Sequence, residues 1–312
     1  MSLMPRPPQK SPDATGNGPA PGDVARAEAM GEGLPALLVA AEQVAATVAQ
    51  GVHGRRRVGT GEAFWQYRPH GSHDSATAVD WRRSARSDDL FVRETEWEAS
   101  QSVWVWSDRS PSMAYSGGKD RPAKADRAML LMLAACSALL RGGERVGLIG
   151  MDRRASGGRA GLKHIAERLI TQASADLPDG AMGLPPSVDL PRHCQGLIFS
   201  DFLGPVEDWE RRFAEFSEQR VGGLAVQVLD PAEETLPFRG RARFEGLEGE
   251  GDYVAEKVET LRPRYRSRLE AHRDALRHAA RSAGWELLVH HTDRPAEQAL
   301  MSIYVALARW GG

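Results

Sequence analysis

Oxygen-bearing side chains are concentrated directly after an apolar run in the middle of the chain. Residues 103–106 read Val-Trp-Val-Trp and predict a buried strand, and Asp108, Ser110 and Ser112 follow at once. Pro111 prevents the strand from continuing, so these groups lie on a turn at its carboxyl end, the edge at which open α/β sheets place their sites. Such a turn can hold a hard divalent cation, Mg²⁺ or alternatively Mn²⁺, through a few protein oxygens and several waters. The alternative interpretation is an ordinary helix N-cap.

A second acidic residue follows another apolar run. Residues 196–202 predict a buried strand that carries Asp201 at its end. From residue 101 onward strands alternate with helices, which predicts an α/β fold with a mostly parallel sheet and helices on both faces. Because the carboxyl ends of parallel strands share one edge, we expect Asp108 and Asp201 to lie close together. The predicted metal ligands are Asp108, Ser110, Ser112 and Asp201.

The segment before this region is rich in arginine. Residues 52–98 contain short apolar runs punctuated by glycine, which indicates a small irregular β unit. Arginine offers a rigid bidentate fork to carboxylates and phosphates, so these arginines predict a docking face for an acidic partner or a phosphate. The alternative is a solvated surface whose arginines pair with neighbouring acidic residues. The predicted partner-binding residues are Arg68, Arg82, Arg83 and Arg86.

The overall composition restricts the classes of function. The 312 residues are 41% hydrophobic and carry a formal net charge of −2, so there is no general attraction for nucleic acid or an anionic membrane. The basic helix predicted over residues 262–283 also contains acidic residues, which favours a solvated helix face over nucleic-acid binding. No apolar run reaches the roughly 18 residues of a membrane span, and no secretory leader is visible. A cytoplasmic location is therefore expected.

Differences in amino-acid composition divide the chain into three parts. Residues 1–23 are rich in proline and glycine and poor in large apolar side chains, which predicts a disordered tail. Residues 24–98 are assigned to an N-terminal helix, ended by Gly51, and to the small β unit. Residues 99–312 are assigned to the α/β domain.

The turn at residues 108–113 resembles the metal-ion-dependent adhesion site of von Willebrand factor A domains, whose pattern is Asp-x-Ser-x-Ser. Taken with further segments, the chain is similar to the bacterial domain-of-unknown-function family 58. The matching segments are residues 68–69, 71–74, 79–86, 90–94, 108–113, 200–202 and 292–295. The resemblance implies a von Willebrand factor A-like, Rossmann-like core. It also implies association with AAA+ ATPases of the MoxR type in an assembly or chaperone-like adaptor role.

Two departures from the resemblance bear on the metal site. Domains of this class usually add a threonine ligand from a loop between the two aspartate-bearing strands, whereas residues 157–160 contain none and Thr171 lies in a predicted helix. Arg159 could instead bring a positive charge to the place of the metal. Many members of the family also carry membrane helices, and none is predicted here.

The residues and the resemblance together predict a non-enzymatic protein-interaction or adaptor module. In this hypothesis the turn presents a divalent cation to an acidic residue of a protein partner, with a MoxR-type ATPase as the candidate. One alternative is a metal-dependent phosphohydrolase with Asp108 as nucleophile, although Ser110 stands where haloacid-dehalogenase-like phosphatases have a second aspartate. The other alternative is a scaffold with a degenerate, metal-free site.

Overall fold

The computed structural model describes residues 4–5, 39–48, 64–69, 81–84, 89–95, 102–173, 183–246 and 251–310. These residues belong to two compact units, one formed by Arg55–Gln101 and the other by Met1–Gly54 together with Ser102–Gly312. Most of the predicted tail over residues 1–23 and most of the N-terminal helix lie outside the described residues, but Met4–Pro5 of the tail form a short strand rather than disordered chain. Residues 39–48 of that helix are helical, as predicted.

The elements alternate between strand and helix through most of the chain. In chain order they are β1 (Met4–Pro5), α1 (residues 39–48), β2 (Phe64–Pro69), α2 (Trp81–Ser84), β3 (Phe91–Thr95), β4 (Ser102–Ser107), a 3₁₀ turn (Pro111–Ala114), α3 (Lys124–Arg141), β5 (Arg145–Leu148), β6 (Ser156–Gly157), α4 (Gly158–Ala173), β7 (Gln195–Ser200), α5 (Val206–Glu218), β8 (Gly222–Leu229), α6 (Pro231–Thr235), β9 (Ala242–Glu245), β10 (Asp252–Ala255), α7 (Val258–Ser282), β11 (Trp285–His291) and α8 (Ala296–Trp310).

The larger unit is built on a six-stranded sheet with the order β11-β8-β7-β4-β5-β6. All neighbouring strands run parallel except the short β6, which is antiparallel to β5. The prediction of a mostly parallel sheet is therefore confirmed, and the arrangement is consistent with a von Willebrand factor A-like fold. A smaller antiparallel sheet joins β1, β9 and β10. None of the described helices combines the length and apolar character required to cross a membrane.

Helices cover both faces of the large sheet because its strands alternate between two buried sides. In β4, Val103 and Val105 pack into a cluster with α1, α3, α4 and α8, while Trp104 packs with α5 and α7 on the opposite side. Glycines make room for the tryptophans on this second side. A Cβ at Gly196 would lie 2.1 Å from the ring of Trp285, so only glycine fits there.

Several predicted bounds are shifted by local turns. The helix expected from Arg121 starts at Lys124, because a backbone bond from Arg121 N–H to Gly118 O (3.1 Å) holds the chain in a turn before the helix. The helix expected from Arg262 starts at Val258 instead. Helix α6 and strand β6 were not predicted at all.

The smaller unit contains the antiparallel pair β2 and β3 and the single helical turn α2, which agrees with the predicted small β unit. Ser84 accepts a hydrogen bond from Phe91 N–H (2.9 Å) and so ties α2 to the start of β3. Of the arginines predicted to bind a partner, Arg68 lies in β2, and Arg82 and Arg83 lie in α2. The fourth, Arg86, lies outside the described residues. The docking role of this group stays a prediction.

Candidate functional site at the carboxyl edge of the sheet

The two aspartates that follow β4 and β7 meet at one edge of the sheet. These strands are parallel neighbours, and the N–H of Asp108 continues their ladder by donating to Phe199 O at 2.8 Å. The side chains are joined by hydroxyl groups. Ser200 donates to Asp108 Oδ2 at 2.6 Å, and Ser112 donates to Asp201 Oδ2 at 2.7 Å. The structure therefore brings the predicted residues together.

The turn after β4 is folded so that its hydroxyl groups point inward. Asp108 Oδ1 accepts the N–H of Ser110 at 2.8 Å, and Pro111 then opens one 3₁₀ turn. The Ser110 and Ser112 hydroxyl oxygens lie 3.1 Å apart. Ser110 occupies the cap position of this turn, but its side chain makes no capping bond. Its hydroxyl is directed at the site rather than at the helix end, which disfavours the simple N-cap interpretation.

A lysine that sequence reasoning did not assign to the site supplies its positive charge. Lys124, the first residue of α3, is 0% exposed. Its ammonium donates to Asp201 Oδ2 at 2.7 Å and to Glu233 Oε1 at 2.5 Å. Arg159, which the sequence offered for this role, is exposed at the start of α4. The buried cation of the site is therefore Lys124.

The pKa values of the two aspartates are shifted in opposite directions, and Lys124 is the reason for the difference. Burial, together with the nearby Asp201 carboxylate, raises the pKa of Asp108 to about 6, against the opposing hydrogen bond from Ser200. Burial also favours the neutral form of Asp201, but the charge of Lys124 outweighs burial and lowers the pKa of that carboxyl below its ordinary value. Asp201 is thus held in its ionised form, whereas the ionised form of Asp108 is disfavoured by its surroundings.

Glu233 and Lys124 also respond to burial and to each other. Burial raises the pKa of Glu233 to about 7, although Lys124 opposes this shift. Burial disfavours the ammonium form of Lys124, but the two carboxylates overcome that effect and raise its pKa above its ordinary value. The lysine therefore stays charged throughout the physiological range.

The loops around the site are tied together by Asp230, which is fully buried at the end of β8. Its carboxylate accepts the N–H groups of Gly117 (3.0 Å) and Ala232 (2.8 Å) and the hydroxyl of Thr292 (3.1 Å). Asp230 and Glu233 also form a capping box at the start of α6, in which Glu233 Oε2 accepts Asp230 N–H at 2.7 Å. The capping box holds Glu233 in place for Lys124.

A small cleft opens beside the two aspartates. It is lined by Asp108, Ser110, Ser200, Asp201, Asp208 and Trp209 together with residues of the adjoining loops, and about 70 Å³ of it is wide enough for water-sized groups. Asp108 reaches this cleft although the residue is only 1% exposed. The space is sufficient for a small group such as the tip of one side chain.

The donor set does not fit a divalent ion that takes oxygens from both aspartates. Asp201 already uses three of its roughly four acceptor positions, for Ser112, Lys124 and the N–H of Leu203 (3.1 Å). An ion bound directly to Oδ2 would also lie within about 5 Å of the ammonium, where the charges repel by several kcal/mol even at an effective dielectric constant of about 20. Among the described residues, no group of three or more His, Cys, Asp or Glu side chains is arranged to hold a metal.

Some of the contributing residues could have been found in the sequence. The segment Asp230-Pro-Ala-Glu233 directly after an apolar strand is a capping-box signal that would have predicted α6. Lys124 gives a weaker signal, as one of three charged residues in the first turn of a helix whose remainder is mostly apolar. Its pairing with Glu233, 109 residues later, leaves no local trace.

The fold and the site together define an α/β protein with a mostly parallel sheet and an Asp-x-Ser-x-Ser turn at its carboxyl edge. Residues 66–275, more than half of the chain, match the family described as "Protein of unknown function DUF58". The chain belongs to this family, which confirms the resemblance inferred from the sequence.

The chain is similar to mycobacterial proteins that are described as uncharacterized. It is 29% identical to the uncharacterized protein Mb1516 of Mycobacterium bovis over 231 residues, which cover 71% of this chain and 72% of the relative. The uncharacterized protein Rv1480 of Mycobacterium tuberculosis matches to the same extent. Among solved structures, the conserved hypothetical protein BatB of Bacteroides thetaiotaomicron is similar at 15% identity and a TM-score of 0.34, covering 67% of this chain and 99% of that one.

Proposed function

We propose that this chain is a non-enzymatic protein-interaction module that presents the Asp108 turn to a protein partner. The observation that carries the proposal is the junction of two buried aspartates and two serines with a cleft that reaches Asp108. A buried carboxylate with a raised pKa is poorly stabilised by its own surroundings, and such groups concentrate at functional sites. A partner group that entered the cleft and hydrogen-bonded to Asp108 would relieve this condition.

The candidate partner is an AAA+ ATPase of the MoxR type, which the family resemblance implies. The size of the cleft supports recognition rather than turnover, because a contact with one side-chain tip can contribute strongly to binding when it is desolvated. The surrounding network also supports this role. Asp230 and the α6 capping box fix the loops at the edge of the sheet, so little ordering is required on binding.

The test measures binding of the purified full-length chain to the MoxR-type ATPase from the same organism, by calorimetry or biolayer interferometry. We expect Asp108→Asn and Ser110→Ala to weaken the complex by at least about tenfold, since each removes a group at the cleft. The matched control is Asp252→Asn on the exposed strand β10. Equal affinity of all four proteins would overturn the proposal.

The rival at the same turn is a metal-dependent phosphohydrolase with Asp108 as nucleophile. Both carboxylate oxygens of Asp108 already accept a hydrogen bond, from Ser110 N–H and from the Ser200 hydroxyl. The residue two positions later is Ser110, which cannot serve as a carboxylic general acid. Turnover of a generic phosphatase substrate in the presence of Mg²⁺, abolished by Asp108→Asn, would favour the rival.

A further inference from the structure

Lys124 is a buried cation held from two sides by groups that the backbone fixes. Its own N–H donates to Tyr115 O at 3.1 Å, which sets the start of α3. Of its two carboxylate partners, Asp201 also accepts Leu203 N–H (3.1 Å), and Glu233 also accepts Asp230 N–H (2.7 Å). The ammonium therefore has a defined position and cannot leave it without exposing two carboxylates to an unpaired, buried state.

We propose that Lys124 is the resident cation of the strand-end site and takes the place of a divalent metal beside Asp201. Where the proposed function holds, partner binding at the Asp108 turn is then independent of divalent ions. The same Oδ2 atom of Asp201 accepts from Ser112 and from the lysine, so the hydroxyl, the carboxylate and the positive charge form one connected group. Carboxylate and hydroxyl oxygens of this kind are the groups that a divalent ion would require at the same place.

The lysine and both of its carboxylate partners are buried. Lys124 is 0% exposed, and its partners Asp201 and Glu233 are 3% and 2% exposed. A lysine shielded from water in this way is retained in its charged form only when carboxylates surround it. A second cation placed on the same aspartate would face the ammonium without intervening solvent, and Mg²⁺ would also have to exchange several of its waters for oxygens already in use.

The experiment titrates Mn²⁺, and separately Mg²⁺, into the purified full-length chain without any partner, with calorimetric detection. The informative variant carries Lys124→Met with Glu233→Gln. This pair removes one positive and one negative charge, so the formal charge of the site is unchanged, and of the two carboxylates that Lys124 contacts only Asp201 is left without its cation. The controls are Glu233→Gln alone, which keeps the ammonium, and Lys163→Met, which removes a lysine whose side chain is 79% exposed on α4.

We expect the wild type and both controls to show no Asp108-dependent binding at millimolar ion concentrations. The double variant should gain one-to-one Mn²⁺ binding, at least about tenfold tighter than any binding by the wild type, and Asp201→Asn should abolish that gain. Wild-type binding that is lost in Asp108→Ala would overturn the proposal. A double variant with native circular dichroism and no gain in binding would also overturn it, because Lys124 would then be purely structural.

If the double variant does not fold, the wild-type titration decides, since Asp108-dependent heat contradicts the proposal and its absence supports it. The titration contains no partner, so its failure is distinguishable from a failure of the proposed interaction. In the binding assay with the ATPase, a chelator should leave the affinity of the wild type unchanged, whereas a loss of binding on chelation would contradict metal independence.

Discussion

Replacing Lys124 with methionine should destabilise the protein strongly and in a pH-dependent manner. Methionine fills a similar volume but removes two buried, hydrogen-bonded ion pairs, at 2.7 Å to Asp201 and at 2.5 Å to Glu233. Removing one partner of a buried pair typically costs about 3–5 kcal/mol, because the remaining charge is left uncompensated. We expect a loss of this size in the free energy of unfolding at pH 8.

The cost should fall as the pH is lowered, because the protein can protonate a buried carboxylate instead of burying its charge. For a glutamate whose unfolded pKa is about 4.3, protonation costs about 5 kcal/mol at pH 8 but only about 1 kcal/mol at pH 5. In the wild type Lys124 opposes the rise in the pKa of Glu233, which lies at about 7, so the same trend is smaller. The lowered pKa of Asp201 stabilises the fold equally at pH 8 and pH 5, because this contribution is lost only as the pH falls below the unfolded pKa of about 3.9. The difference between the two proteins should therefore be largest at pH 8.

Urea denaturation at pH 8 and pH 5 measures this difference. With an m-value of about 3 kcal/mol/M, the midpoint of the variant should lie about 1–1.5 M below that of the wild type at pH 8, and less than half as far below it at pH 5. The control is Lys163→Met, which breaks only an exposed pair with Glu167 at 3.6 Å and should shift the midpoint little at either pH. A shift for Lys124→Met that is small, or equal at both pH values, would refute the reasoning.

Three further changes test other parts of the structure. Burial, with the charge of Arg127, lowers the pKa of His290 to about 4. The contribution of this histidine to stability is therefore complete above about pH 6.5 and falls by up to about 3 kcal/mol as the pH is lowered to about 4. Over that range His290→Gln should lose less stability than the wild type in pH-dependent urea unfolding. Gly196→Ala would place a Cβ 2.1 Å from the ring of Trp285 and should lower the unfolding free energy by about 1–3 kcal/mol, seen as a lower melting temperature. Asp230→Ala should cost at least about 3 kcal/mol in urea unfolding, because three hydrogen-bond donors and the Arg121 guanidinium lose their carboxylate partner.

Each of these changes has a control on the same chain. His278→Gln alters an exposed histidine and should leave the pH profile unchanged. Gly157→Ala adds a Cβ that would lie 3.8 Å from Arg145 Cγ, an ordinary van der Waals distance, so the melting temperature should remain near that of the wild type. Asp252→Ala removes an exposed aspartate paired with Arg243 and should cost less than about 1 kcal/mol. A control that behaves like its test variant would show that the assigned contact is not the cause.

The sequence by itself determined the fold class and the location of the site. Hydrophobic periodicity is local, so the alternation of strands and helices could be predicted before any contact was known. The geometric rule that parallel strands share a carboxyl edge then placed Asp108 beside Asp201, although 93 positions separate them. The short hydroxyl-rich turn with Ser110 and Ser112 was equally local, because Pro111 ends the strand where these side chains begin.

Only the tertiary structure decided which positively charged group lies beside the aspartates. Lys124 contacts Asp201 and Glu233 across 77 and 109 positions, and no sequence pattern specifies where a long flexible side chain ends. The pKa shifts of Asp108 and Glu233 arise first from burial, which depends on the packing of the whole domain rather than on neighbouring residues. The chemistry offered by the site is thus set by long-range packing, since Coulomb interactions and desolvation depend on distance in space and not along the chain.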